Sequence, residues 1–109
     1  MKSLSILATV LLMSSISSAA TLNCTIKVNN AVVAQNQVQT KSKEKVFVAS
    51  ADSIQAFVTE KVDDIFIIEA FIGESEIRIY SEGMLRTPAD RLVTSLWSRE
   101  MMADIECSR

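Results

Sequence analysis

Apolar side chains fall at every second residue over most of the stretch from Leu22 to Cys107. A period of two lines one side of an extended chain, so this alternation specifies β-strands. Valine, isoleucine, threonine and aromatic residues carry it, which suits a pleated, half-buried surface. Only two glycines and one proline punctuate the chain.

The alternation is most specific around Gly73-Glu74. Ile65–Ile72 precedes this pair and Ser75–Glu82 follows it. Glycine first in a two-residue loop suits a type II′ hairpin turn. That turn sets Ile72 opposite Ser75, Ala70 opposite Ile77, Ile68 opposite Ile79 and Phe66 opposite Ser81. One face is then apolar. On the other face Glu69 falls opposite Arg78, and Ile67 opposite Tyr80. A slip of one residue would destroy both patterns. Ile65–Ile72 carries a single charge, Glu69, and has the composition of an aggregation-prone strand. It therefore reads as a central strand, paired on both edges and shielded on both faces.

Other strands follow by the same rule. Leu22–Val28 turns through Asn29-Asn30 into Ala31–Val38, with Val33 opposite Ile26. Val46–Ala49 is short. Ile54–Val62 turns through Asp63-Asp64 into Ile65. This register puts Phe57 inward with Phe66, Ile68, Ala70, Ile77 and Ile79. A second apolar face then holds Ile54, Ala56, Val58, Val62, Ile65, Ile67, Phe71 and Tyr80. A sandwich core, a covering loop, or a surface for a protein partner or a second copy would each account for that face.

The C-terminal stretch has two readings. Thr87-Pro88-Ala89-Asp90 resembles a helix start, and Leu92, Val93, Leu96, Trp97, Glu100 and Met101 form a helical stripe. The β reading places a turn at Arg99-Glu100. Met101 then faces Ser98, Ala103 faces Leu96, Ile105 faces Thr94, Cys107 faces Leu92, and Trp97 faces Met102. The strict alternation Met101, Ala103, Ile105, Cys107 favours strands over residues 91–106, with at most a short helical turn near 87–91. The expectation is an all-β domain of seven or eight short antiparallel strands. A meander barrel and a two-sheet sandwich both satisfy it.

Met1–Ala20 has a different character. Lys2 gives a basic start, Leu4–Ile16 is mostly apolar, and Ser17-Ser18-Ala19-Ala20 supplies small residues. That is the pattern of a secretory signal peptide. Ser5, Thr9, Ser14 and Ser15 interrupt the apolar run, which is short for a membrane span of about 30 Å. Small residues suit cuts after Ala19 or after Ala20. The reading adopted is a leader at 1–20, a single domain at 21–109, and no stable membrane span after cleavage. The residues before Cys24 lack the pattern of a lipid-anchor site. The expected location is secreted or periplasmic. Two cysteines in an exported chain, Cys24 and Cys107, read as one disulfide joining the first and last strands.

Function is constrained mainly by exclusion. The chain contains no histidine. The Ser-His-Asp and Cys-His arrangements and the usual zinc site are therefore unavailable. A net charge of −2 offers no basic surface for nucleic acid. Lys41, Lys43 and Lys45 read as a solvated loop. Ser42 and Lys45 match a serine–lysine nucleophile spacing, but without a second motif. Asp63-Asp64 lacks the remaining ligands of a calcium loop. Asn23-Cys24-Thr25 fits a glycosylation sequon, with a disulfide cysteine inside it. No catalytic, metal or cofactor residue is assigned.

The expectation is a small exported, non-enzymatic binding or structural domain that meets a protein partner or a second copy through an apolar sheet face. An inhibitor or modulator of another protein, acting through an exposed loop, is the alternative. A histidine-free enzyme using carboxylates is the third.

Overall fold

The computed structural model describes residues 20–73 and 77–109. The leader reading therefore falls outside the described residues, apart from Ala20, and so do Glu74, Ser75 and Glu76. The described chain forms β1 (Thr21–Val28), β2 (Ala31–Gln39), β3 (Lys45–Ala51), β4 (Ile54–Val62), β5 (Ile65–Ile72), β6 (Ile77–Met84), β7 (Arg91–Trp97) and β8 (Met102–Ser108). They build two four-stranded antiparallel sheets, ordered β2-β1-β8-β7 and β3-β4-β5-β6. The chain runs as a meander and passes between sheets at β2/β3 and β6/β7, and β8 returns to pair with β1. Of the two architectures left open by the alternation, the domain adopts the sandwich.

The apolar faces meet between the sheets. Leu22, Cys24, Ile26, Ala103, Ile105 and Cys107 come from one sheet, and Ile54, Ala56, Val58, Phe66, Ile68 and Ala70 from the other. At the β6/β7 corner, a Cβ on Gly83 would lie 2.8 Å from Cδ1 of Leu92. The glycine leaves room for that leucine to reach the core.

Several expectations hold. Asn29 and Asn30 both take positive φ, 53° and 68°, as a type I′ turn requires. β7 and β8 pair as the β reading demands, with Trp97 opposite Met102 and Leu92 opposite Cys107. Among the described residues there is no helix, and Thr87–Asp90 is a turn. There the Asp90 carboxylate accepts the N–H groups of Arg86 and Thr87 at 2.8 and 2.9 Å. Cys24 lies directly opposite Cys107, and the two form a buried disulfide with Cα atoms 4.1 Å apart.

Three registers differ from the sequence reading. Ile72 pairs with Ile77, so four residues separate β5 from β6. Gly73 does not take positive φ, and its N–H donates to the Ser53 carbonyl at 2.7 Å instead of serving a II′ turn. The shift is two residues, so Ile68, Ala70 and Ile79 still share one face.

In β4 a bulge at Lys61 sets Val62 opposite Ile65 but Glu60 opposite Phe66. One extra residue reverses every upstream side chain. Ile54, Ala56 and Val58 therefore point inward, and Phe57 outward, the reverse of the expectation. A bulge at Val33 likewise sets Ala34, not Val33, opposite Ile26.

Candidate functional site

The outward face of the β3–β6 sheet gathers the most chemistry. β3 contributes Lys45 and Phe47, β4 Phe57, β5 Glu69 and Phe71, and β6 Arg78 and Tyr80. Phe57 reaches this face because of the β4 bulge. The Phe47, Phe57 and Phe71 rings form an edge-to-face row, with centroids 5.7 and 5.8 Å apart. Such contacts add about 0.5–1.5 kcal/mol each beyond area burial.

Glu69 organises the charges. It is only 6% exposed, although it lies on the outward face. Lys45 Nζ sits 3.0 Å from its Oε1, and Arg78 Nε donates to its Oε2. The Lys45 ammonium also lies 5.6 Å from the Phe57 ring centre and 5.4 Å from that of Phe71. The Arg78 guanidinium stacks on Tyr80 at 4.8 Å. Each cation is thus shared between one carboxylate and an aromatic face. Glu69 and Arg78 meet as expected, but on a diagonal, because Glu69 lies opposite Tyr80 and Arg78 opposite Phe71.

Burial acts to raise the Glu69 pKa. Hydrogen bonds from Arg78 and Lys45, and their charges, outweigh it and hold the carboxyl below its ordinary 4.5. A depressed pKa contributes stability above the unfolded-state value, and that stability is lost as pH falls through the folded value. Urea midpoints should therefore fall as pH drops below about 4.5, and fall less for Glu69→Gln. At neutral pH the same substitution should cost about 1–3 kcal/mol, since it removes charge-assisted hydrogen bonds from a largely buried acceptor. Equal acid sensitivity in both proteins would show that the triad contributes nothing.

The face is open at its ends, with Phe47 52% and Tyr80 59% exposed. Ile65, Ile67 and Phe71 are half-buried, so β5 is paired on both edges but is not fully covered on its outer side. Beside Phe71, a shallow cavity of about 250 Å³ is lined by Ser50, Asp52, Ser53, Gln55 and Gly73. No family model, curated protein or solved structure matches this chain.

The remaining candidates do not assemble. Ser42 forms an isolated parallel bridge with Glu60 rather than lying on a helix, and Lys45 is committed to Glu69. Asp64 binds Arg109 at 2.5 Å and Arg86 at 3.7 Å. Glu82 faces Lys61 at 3.3 Å. Among the described residues, no group of three acidic or cysteine side chains could hold a metal.

Sequence reasoning missed Lys45, Phe47 and Phe57 as members of this site. The available signal was the alternation Lys45-x-Phe47 together with Gln55-x-Phe57-x-Thr59. It was hidden by the bulge that turns β4 over.

Proposed function

We propose that the protein is an exported, disulfide-bonded binding domain, without catalytic activity, that docks a protein partner on the outer face of the β3–β6 sheet. The observation that carries this reading is the phenylalanine row flanked by two ring-stacked cations on an open face. Aromatic side chains and arginine are enriched where protein interfaces concentrate binding energy. The rigid sheet and the Glu69 clamp hold these groups in place before a partner arrives, which lowers the ordering cost of association. Export is supported by the leader pattern and by the buried disulfide. Among the described residues, no helix is long and apolar enough to cross a membrane.

Affinity capture from the native envelope or culture fluid tests the reading. The Phe47→Ser/Tyr80→Ser variant should lose the captured partner while still unfolding cooperatively. Both side chains are more than half exposed, so the loss of the Phe47–Phe57 edge contact and the Tyr80–Arg78 stack should cost only about 1–2 kcal/mol and leave the fold intact. A partner that survives these changes but is lost on altering a connecting loop would favour the modulator reading instead.

A further inference from the structure

Thr40 follows β2 and is fully buried. Its hydroxyl accepts the Ala20 N–H at 3.2 Å and lies 3.2 Å from Oε1 of Glu60, to which it can donate. The Thr40 N–H donates to the Ala20 carbonyl at 2.8 Å. Ala20 is thereby a member of the folded domain, 4% exposed and packed into its core. Glu60 is 6% exposed, and it takes part in no ion pair among the described residues. Leaving a buried carboxylate without a counter-charge is costly. One hydroxyl away lies the backbone nitrogen that a cut after Ala19 would convert into a cation.

We infer that the leader is removed by hydrolysis of the Ala19–Ala20 bond, and that the new α-ammonium of Ala20 is the counter-ion of Glu60. The inference rests on the export reading above. Hydrolysis consumes one water. The bond between the Ala19 carbonyl carbon and the Ala20 nitrogen breaks. Hydroxide goes to the carbonyl, which leaves as a carboxylate, and the nitrogen ends as –NH₃⁺. Ser17 and Ala19 provide the small residues that a signal peptidase requires at this bond.

In place of one N–H donor, the terminus then holds three: one keeps Thr40, whose hydroxyl links the new charge to the Glu60 carboxylate. A cut after Ala20 would instead delete a buried core residue and the carbonyl that satisfies Thr40. It would also start the chain at exposed Thr21. Hydrolysis takes place on the extended chain before β1 pairs, so the burial of Ala20 is no obstacle.

The test is to express the full-length chain in an exporting host and to determine the N-terminus by intact mass and terminal sequencing. Ala20 as the first residue is the expected result. Thr21 as the first residue would overturn the inference while leaving export intact. A retained leader would overturn the export reading, and this inference with it.

The pairing is tested separately by urea unfolding. Glu60→Gln should lower the midpoint of the protein that begins at Ala20. The same substitution should lower it much less, or raise it, when Gly-Ser-Gly-Ser is inserted between Ala19 and Ala20, because the insertion moves the charge away. Equal effects in both backgrounds would overturn the counter-ion role.

Discussion

Replacing both cysteines with alanine should lower unfolding stability by about 4–5 kcal/mol, measured by urea denaturation against the oxidised protein. The bond joins residues 83 apart in sequence, so it removes a large loop from the unfolded ensemble. The chain-entropy model gives that upper-end figure for such a loop. It is comparable to the whole stability of a small domain. The site is also the join of the fold, because Cys24 and Cys107 sit opposite each other where β8 closes on β1. Reduced wild-type protein separates the two contributions, because it retains both buried sulfurs and loses only the tether. A loss below about 1 kcal/mol on reduction would mean that the β1–β8 ladder closes the sandwich by itself, and that the unfolded chain is already compact.

What could be read in the sequence was parity, and parity fails wherever a strand carries a bulge. β1, β5, β7 and β8 are regular, and their inward sets follow from alternation alone. Leu22, Cys24 and Ile26 share the inward face as expected, and Cys24 meets Cys107. The β5–β6 hairpin was displaced by two residues yet kept its faces, because an even shift preserves parity. β4 kept its strand and its turn but lost its face, because Lys61 is one residue too many. A bulge changes no residue type and leaves no mark on composition, so periodicity cannot find it. The candidate site depended on that step. Alternation alone points Phe57 inward, which hides the phenylalanine row and leaves Lys45 as one charge among Lys41, Lys43 and Glu44. The carboxylate clamp was legible only in part, as Glu69 with Arg78, since Lys45 reaches it from β3 across β4.

Phe66→Ala should be the most damaging single substitution in the core, at about 3–5 kcal/mol, the usual cost of truncating a fully buried phenylalanine. Phe66 is completely buried on the central strand β5, between Glu60 of β4 and Gly83 of β6. The C-terminal arginine packs above it, with the Arg109 guanidinium 5.9 Å from the ring centre. That guanidinium also donates to the Leu85 carbonyl at 2.7 Å, and the Leu85 N–H donates to the Asp64 carbonyl at 2.8 Å. Truncation would open a cavity and remove the surface on which this clasp rests, so Arg109 should become mobile by NMR.

Phe57→Ala is the matched control, one strand away on the opposite face. Its ring is half-buried against Phe47, Phe71 and Lys45, and it should cost well under half as much in the isolated protein. Equal costs would mean that the outer face is as dry as the core in solution. Among the described residues no other layer lies over the aromatic row, so a face that dry would point to cover by a second copy of the chain. The ratio of the two phenylalanine costs therefore distinguishes a docking surface awaiting its partner from one already occupied by self-association.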